Sequence, residues 1–547
     1  TSLLSLFSNE LTGSLPTELG LLTAMERLDL SMNQLTGSIP SDLGLMTALT
    51  ELGLYVNLLS GGVPSELGCL TAMERLGLYE NQLNGRGLPS ELGQLSSTRW
   101  MYLHTNELTG AMPTELGCLT AMEDLDLTTN RFTGAIPSEL GELSSMTLLY
   151  LRSNELTGSL PTELGLLTAM YDLDLSMNQF GGSIPSELGL LSAMTELWLH
   201  SNEMTGFVPT TLGLLTAMRD LQFYKNQLNG AIPSELGQLS SMTTLYLWSN
   251  ALTGSLPSEL GLLAAMEDLQ LHENLLDGVV PSELGELTSM TKLYLYSNAL
   301  AESLPTELGL LAAMEDLELA VNQLGGGIPS ELGQLSSMAW LFLHSNALTG
   351  SLPTEMGLLA AMEDLELAVN LLSGPLPSEL GDLSKMTFLA LASNVLTGSL
   401  PTELGLLTTM DTLSLRNNQL TGAIPSELGQ VSSMTLLYLH ANTLTGSIPT
   451  ELGLLTAMVD LQLQENELSG TIPTEMVLLV NASLETMNIE GNNFTGTLSK
   501  EMCSVSFFGS CPTFMDCSAC PADMSSDYWD LFGSACYIEP NLSLIHI

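Results

Sequence analysis

Pairs of acidic residues, two positions apart, recur along the sequence: Asp124 with Asp126, and Asp316 with Glu318. Residues two apart on an extended strand lie on one face, so such a pair could supply the acid and the nucleophile that cleave a glycosidic bond. The same pair returns in strand after strand, however, whereas catalysis needs one carboxyl whose pKa is raised in a distinct pocket. Nucleophile elbows, phosphate loops and dinucleotide fingerprints do not occur in the sequence either. The sequence therefore predicts no catalytic residue and a protein that is not an enzyme.

Five of the six histidines occupy one position of a repeating pattern: His104, His200, His272, His344 and His440. They are three or four repeats apart, which is about 14 to 19 Å along a stack of strands. Metal ligands must converge far more closely than that. We therefore predict no metal site and no cofactor, and we expect these histidines to face solvent.

The pattern is Met-x-x-Leu-x-Leu-x-x-Asn-x-Leu-Thr-Gly-x-Ile-Pro-Ser-Glu-Leu-Gly-x-Leu. Its Asn stands at positions 9, 33, 57 and 81, at 24-residue steps from 106 to 466, and at 492, which makes 21 repeats. The Leu-x-Leu alternation predicts a short strand with two side chains turned inward. The Asn is expected to form a buried ladder that satisfies neighbouring backbone groups. Pro-(Ser/Thr)-Glu-Leu-Gly predicts a short turn on the opposite side, capped by the Ser or Thr hydroxyl.

The segments Leu35–Pro40 (LTGSIP) and Leu444–Pro449 (LTGSIP) carry the hallmark of this repeat. The sequence resembles the 24-residue, plant-type leucine-rich repeat and is similar to receptor-like kinase ectodomains, receptor-like proteins and polygalacturonase-inhibitor-like proteins. The resemblance implies an α/β solenoid. In this fold, a superhelix has a parallel concave β-sheet, short 3-10 or α turns on the convex side, and a cysteine-containing C-terminal cap.

The expected domains are a repeat solenoid over 1–502, which lacks its N-terminal part, and a cysteine-rich cap over 503–541. Residues 542–547 are expected to derive from a sequencing adaptor. The cap holds the disulfide candidates: Cys503, Cys511, Cys517, Cys520 and Cys536. Five cysteines permit two bridges, and a zinc knuckle around Cys517 and Cys520 stays an alternative. Cys69 and Cys118, two repeats or about 10 Å apart, are too far from each other for a disulfide and are predicted to be buried thiols.

Aromatic residues alternate with acids or amides at the position before the second inward leucine. The candidate ligand-binding residues in this stripe are Tyr102, Tyr150, Trp198, Tyr246, Tyr294, Phe342, Asp126 and Asp174. Consecutive aromatics lie two strands apart, about 10 Å, and flat rings suit both sugar faces and protein anchors. The alternative is that tandem duplication copied the stripe and its rings merely cover aliphatic surface.

The chain carries 12 Lys and Arg against 61 Asp and Glu, a formal charge of −49. This charge repels nucleic acids and anionic membranes. No apolar run approaches the roughly 18 residues of a membrane span. A row of glutamates on the convex turns predicts that stability rises with ionic strength and that divalent cations bind non-specifically.

Asn481 and Asn493 begin glycosylation sequons, which indicates secretion. We expect an extracellular or plasma-membrane surface protein whose concave face binds a protein, a peptide or a polysaccharide, as in a receptor-like kinase ectodomain. The alternative function is a structural surface or matrix protein, or an ice-binding protein, without a discrete ligand pocket.

Overall fold

Each repeat forms an inner strand, an outer strand and a short turn in the computed structural model, which describes residues 2–85 and 87–496. The repeats divide between two units, Thr1–Leu348 and Thr349–Ile547. Both units are stacks of leucine-rich repeats, as the sequence predicts. The predicted cap, with Cys503, Cys511, Cys517, Cys520 and Cys536, and the segment 542–547 lie outside the described residues.

The inner strands are three residues long, and within each unit every strand pairs in parallel with the strand of the next repeat. Leu173, for example, lies in register with Leu149 on one side and Leu197 on the other. A residue in the left-handed conformation follows each strand, as Met177 does with φ 55°, and turns the chain away from the sheet. In the first unit the inner strands are Leu3–Ser5, Arg27–Asp29, Glu51–Gly53, Arg75–Gly77, Trp100–Tyr102, Asp124–Asp126, Leu148–Tyr150, Asp172–Asp174, Glu196–Trp198, Asp220–Gln222, Thr244–Tyr246, Asp268–Gln270, Lys292–Tyr294, Asp316–Glu318 and Trp340–Phe342. In the second unit they are Asp364–Glu366, Phe388–Ala390, Thr412–Ser414, Leu436–Tyr438, Asp460–Gln462 and Thr486–Asn488.

The outer strands begin just after the repeated Asn and form smaller parallel sheets. In the first unit they are Thr12–Ser14, Gln34–Ser38, Leu58–Gly61, Gln82–Leu83, Thr109–Gly110, Arg131–Gly134, Glu155–Gly158, Gln179–Gly182, Glu203–Gly206, Gln227–Gly230, Ala251–Ser255, Leu275–Asp277, Ala301–Ser303 and Gln323–Gly325. In the second unit they are Thr349–Gly350, Leu371–Gly374, Val395–Leu396, Thr421–Gly422, Thr443–Gly446, Glu467–Gly470 and Asn493–Phe494.

The turns are 3-10 helices that begin directly after a proline. In the first unit they are Thr17–Leu21, Ser41–Leu45, Ser65–Cys69, Ser90–Gln94, Thr114–Cys118, Ser138–Glu142, Thr162–Leu166, Ser186–Leu190, Thr210–Leu214, Ser234–Gln238, Ser258–Leu262, Ser282–Glu286, Thr306–Leu310 and Ser330–Gln334. In the second unit they are Thr354–Leu358, Ser378–Asp382, Thr402–Leu406, Ser426–Gln430, Thr450–Leu454 and Thr474–Met476, and the α-helix Val477–Val480 follows the last.

The predicted capping of these turns by Ser or Thr is wrong. Pro137 occupies the N-cap position of Ser138–Glu142 with an extended backbone, and no side chain caps the turn. Ser138 already stands inside the turn, where its hydroxyl donates to Glu139 at 3.4 Å. The proline carbonyl instead accepts from the Leu140 amide at 3.1 Å, which closes the 3-10 ring.

The predicted burial of Cys69 and Cys118 is also wrong, because both are exposed free cysteines. They occupy the last position of the turn, where side chains point away from the core. Leu166 at the same position of another repeat is 59% exposed.

The core lies between the inner strands and the turns. Leu173 and Leu175 of one repeat, and Leu164 and Met170 just before them, have no exposed surface. Each such side chain contributes about 2 kcal/mol through burial, and only the stacking of repeats supplies that burial.

The predicted asparagine ladder is confirmed. Asn154 donates from Nδ2 to the carbonyls of Leu127 and Leu151, both at 3.0 Å, and its Oδ1 accepts from the Phe132 amide at 3.0 Å. The side chain thereby satisfies backbone groups of its own repeat and of the preceding one, which would otherwise be buried without partners.

Candidate binding face on the inner strands

The predicted stripe occupies the last position of the inner strands, where side chains point away from the core. The aromatic members are all half-buried: Tyr102, Tyr150, Trp198, Tyr246, Tyr294 and Phe342. We call the surface on which they lie the inner face. It comprises the residues on, or within two positions of, an inner strand that do not point into the core.

Tyrosines of the stripe donate hydrogen bonds to the first aspartate of the next inner strand. The pairs are Tyr102 with Asp124 (3.1 Å), Tyr150 with Asp172 (2.5 Å), Tyr246 with Asp268 (2.6 Å), Tyr294 with Asp316, and Tyr438 with Asp460 (3.1 Å). The hydroxyls thus tie one repeat to the next, and the ring is held against the sheet.

Burial and the paired carboxylate together keep these hydroxyls protonated. They raise the pKa of Tyr102 to about 12 and that of Tyr438 to about 12. Burial also raises the pKa of Asp172 to about 6, although the hydroxyl of Tyr150 acts in the opposite direction. Asp172 is only 6% exposed, so its carboxylate is poorly solvated.

The acidic residues of the stripe accept hydrogen bonds from residues two positions further along the chain. Asp126 accepts from the Thr128 amide at 2.9 Å. Asp174 accepts from the amide and the hydroxyl of Ser176 at 3.0 and 2.5 Å. Asp174 is only 4% exposed, and burial raises its pKa.

A second row of rings lies on the inner face. It occupies the second residue after the inner strand in several repeats, and we call this series of positions the ring row. Three of its members, Tyr55, Tyr79 and His104, form one stack with centroid distances of 4.5 and 4.4 Å. A five-ring stack follows: His200–Tyr224 (4.2 Å), Tyr224–Trp248 (4.4 Å), Trp248–His272 (5.0 Å) and His272–Tyr296 (4.2 Å), with planes within 16° of parallel. This row was not predicted from the sequence, although rings that recur every 24 residues at one position could have indicated it.

The ring row corrects the prediction for the histidines. His200 and His272 are each 5% exposed and stack between or against neighbouring rings instead of facing solvent. Burial lowers the pKa of His200 and of His272 to about 4. Both imidazoles are therefore neutral at ordinary pH and act as flat, mostly apolar rings. The same cause lowers the pKa of His440 to about 4.

Cationic side chains are fixed on aromatic rings of the inner face. The guanidinium carbons of Arg75 and Arg99 lie 4.6 and 4.5 Å from the centroid of Trp100. Lys225 lies 5.0 Å from the Trp248 centroid. A depression of about 290 Å³ adjoins the first cluster and is lined by Arg27, Thr50, Glu51, Glu74, Arg75 and Trp100. Attraction between a cation and a ring orients these charges, and Arg99 also forms an ion pair with Glu123.

Within residues 2–85 and 87–496, no three His, Cys, Asp or Glu side chains lie where they could hold one metal ion together. The same part of the chain contains no helix with the length and apolarity of a membrane span. The predicted glycosylation residues Asn481 and Asn493 are both exposed, as attachment of a glycan requires.

In the part of the chain that the structure describes, tyrosine and tryptophan are confined to the inner face. All ten tyrosines of the described residues lie on or within two positions of an inner strand: Tyr55, Tyr79, Tyr102, Tyr150, Tyr171, Tyr224, Tyr246, Tyr294, Tyr296 and Tyr438. The four tryptophans of the same part of the chain do so too: Trp100, Trp198, Trp248 and Trp340.

The fold and the inner face define a leucine-rich repeat protein, and the comparisons with known proteins agree. The Leucine Rich Repeat family model matches residues 24–46, 170–191 and 409–431. None of the curated proteins matches the chain.

Several solved structures are similar to this chain over most of the length of both chains. The Arabidopsis receptor kinase HAESA, in complex with the peptide hormone IDA and the co-receptor SERK1, is 31% identical, with 93% of this chain and 86% of that chain covered and a TM-score of 0.83. A TDR receptor is 28% identical, with 92% of each chain covered and a TM-score of 0.80. The plant peptide hormone receptor RGFR1, in complex with RGF2, is 30% identical, with coverages of 90% and 86% and a TM-score of 0.75. The chain belongs to the plant-type leucine-rich repeat family.

Proposed function

We propose that the protein is an extracellular or cell-surface recognition ectodomain that binds a peptide or protein ligand on its inner face. The observation that carries the proposal is the confinement of all fourteen described tyrosines and tryptophans to that face. Both residue types are enriched at the energetic centres of interfaces, because they bury large area at a small cost in side-chain entropy.

The distribution of positive charge supports the same face. Ten of the twelve Lys and Arg lie in the described residues, and seven of these lie on or within two positions of an inner strand: Arg27, Arg75, Arg99, Arg152, Arg219, Lys292 and Arg416. Arg27 and Arg99 pair with Glu51 and Glu123. In a chain of formal charge −49, most of the few described positive charges thus lie on the inner face, where they can contact a ligand.

The similar solved structures support a peptide ligand. HAESA is seen with a peptide hormone, and RGFR1 is a peptide hormone receptor. The role of a receptor-like kinase ectodomain, and a location outside the cell, are carried over from this similarity as part of the proposal.

A polysaccharide ligand is less well supported. Sugars stack on the flat faces of rings, and within the ring row these faces already cover one another at 4.2 to 5.0 Å. Binding of divalent cations, and the structural or ice-binding alternative, stay predictions.

Peptide, protein and glycan arrays probed with the full chain test the proposal. Reversal of two exposed charges, Arg152→Glu with Arg219→Glu, is expected to weaken capture of the bound peptide or protein at least about tenfold. The matched control reverses two exposed charges away from the inner face, Arg131→Glu with Lys385→Glu, and is expected to bind like the native chain. Capture of glycans alone, or equal binding by both variants, would overturn the proposal.

A further inference from the structure

The ring row contains one ring per repeat from His200 to Tyr296, and then a single gap. The residue at the next position of the row is Ala320, and the one after it is His344. Of the seven successive positions of the row from His200 to His344, six hold a ring and only Ala320 does not. The missing ring therefore leaves a space with an aromatic ring on either side.

The size of this space follows from the stack itself. Neighbouring rings of the five-ring stack are 4.2 to 5.0 Å apart, one strand spacing per ring. Tyr296 and His344 belong to strands two spacings apart, so their rings are separated by about 10 Å. A flat ring inserted between them needs two van der Waals contacts of about 3.5 to 4.0 Å each. The space accommodates one ring and is too narrow for two.

The space has both charged and apolar neighbours. Glu318 lies two positions before Ala320, and burial together with the charge of Glu318 raises the pKa of Tyr296. Ala320 itself lies at the bottom of the space and is 4% exposed, so its methyl group is recessed. Val321, 47% exposed, follows it on one side, and the half-buried Phe342 lies one repeat further along the stripe. The ring of His344 is fixed by its Nδ1, which lies 3.2 Å from the Ser345 hydroxyl.

Tyr296 has one stacked neighbour, His272, at 4.2 Å. Its other ring contact is with Tyr294, tilted by 51° at 6.5 Å. Within the described residues no ring stacks on the side of Tyr296 that faces Ala320. The stack of rings therefore ends at Tyr296 on this side.

We propose that an aromatic side chain of the peptide ligand inserts above Ala320 and stacks between Tyr296 and His344. This inference rests on the proposed function and names the chemistry that one part of the inner face selects. An inserted ring would complete the row from His200 to His344, with stacking on both faces. A leucine of similar volume would fill the space without the two stacked contacts.

Filling the space from within the chain tests its shape. Ala320→Phe supplies a ring at the vacant position and is expected to raise the melting temperature. The matched control is Ala392→Phe, at the same position of the ring row, where the native residue is also recessed (5% exposed) but no ring precedes or follows it. If Ala320→Phe lowers the melting temperature as much as Ala392→Phe does, the space does not admit a ring.

Binding is tested with two capped tripeptides, acetyl-Gly-Phe-Gly-amide and acetyl-Gly-Leu-Gly-amide. In the full chain labelled at alanine methyl groups, the Phe peptide is expected to move the Ala320 methyl resonance upfield by its ring current, and the Leu peptide is not. The resonance is assigned by its loss in Ala320→Phe, and saturation transfer to the Phe peptide is expected to fall in that variant but not in Ala392→Phe.

The two proposals fail separately. If the Phe peptide leaves the Ala320 methyl resonance unmoved, the proposed insertion of a ring above Ala320 is wrong. Array binding that is weakened by Arg152→Glu with Arg219→Glu would still support the proposed function. If the resonance moves but the arrays capture no peptide or protein, the space above Ala320 binds a ring and the proposed function is wrong.

Discussion

The hydroxyl of Tyr150 donates a hydrogen bond of 2.5 Å to Oδ2 of Asp172, across the boundary between two repeats. The other carboxylate oxygen, Oδ1, has no hydrogen-bond partner in the part of the chain that the structure describes. Asp172 is 6% exposed, so water cannot replace the tyrosine easily. The Asp172 carboxylate therefore depends on a single hydroxyl for its hydrogen bonding.

Tyr150→Phe is expected to lower the free energy of unfolding by about 2 kcal/mol, because it leaves a buried carboxylate without a donor. Tyr102→Phe is the matched control. Asp124, its partner, also accepts from the Thr147 hydroxyl at 3.0 Å and keeps that bond. We expect a loss below about 1 kcal/mol there. Chemical denaturation of both variants measures the difference, and equal losses would contradict this account.

Asp172 should also make stability depend on pH. Burial raises its pKa in the folded chain to about 6, above the 3.8 of an exposed aspartate, so the folded state binds the proton more tightly. Its contribution is therefore present at low pH and is lost as pH rises through 6. Relative to Asp172→Asn, which cannot ionise, the native chain is expected to lose stability between pH 4 and pH 6. A constant difference in melting temperature over that range would show that Asp172 does not titrate with a raised pKa.

His272 makes stability depend on pH in the opposite direction from Asp172. Burial lowers its pKa to about 4, so between pH 4 and 6.5 the unfolded chain binds the proton more tightly than the folded chain. Stability from this residue is complete above pH 6.5 and falls as pH drops towards 4. His272→Phe keeps a flat ring between Trp248 and Tyr296 and removes the titration. We expect its melting temperature to approach or exceed that of the native chain as pH is lowered from 7 to 4.5.

A control separates titration from stacking in that experiment. His272→Ala removes the same proton site together with both stacked contacts, at 5.0 and 4.2 Å. It is expected to be destabilised at every pH, with the same pH dependence as His272→Phe. If His272→Phe and the native chain respond equally to acid, the histidine is not held neutral by burial.

Sequence pattern predicts the elements of this fold because each is determined within one repeat. The inward leucines, such as Leu173, follow from strand alternation, and the ladder formed by Asn154 follows from the need to satisfy buried backbone groups. The bond from Tyr150 to Asp172 was not predicted, because it joins the last position of one strand to the first position of the next. It depends on side-chain reach and on parallel register, which the spacing within a repeat does not contain.

The ring row illustrates the same limit. The spacing of His200 and His272 reveals that they share a position, and from this alone a polar residue is expected to face water. Only the three-dimensional placement of the neighbouring rings shows how the imidazoles are covered. Tyr224 covers one face of His200, and Trp248 and Tyr296 cover both faces of His272. Burial by neighbours in the stack outweighs the average preference of the residue.

The glutamates of the turns predict a dependence on salt. Glu163 is exposed and Glu139 and Glu187 are partly exposed on successive turns, about 5 Å from repeat to repeat along the stack. Like charges at this spacing repel, and added salt screens them. We expect the melting temperature to rise between low salt and about 0.5 M salt, and to rise less in a variant with all three changed to Gln. A melting temperature that does not respond to salt would contradict this prediction.

The turns also require glycine for a steric reason that a single substitution can test. A Cβ at Gly141 would lie 2.4 Å from the carbonyl oxygen of Glu163 in the next turn, so a side chain there would push two repeats apart. Gly141→Ala is expected to cost about 2 to 3 kcal/mol, in the range of overpacked cores. Gly181, whose added Cβ would meet nothing closer than 3.9 Å, provides the control. Gly181→Ala should change the denaturation midpoint little, and equal effects of the two substitutions would mean that contact between turns does not set the repeat spacing.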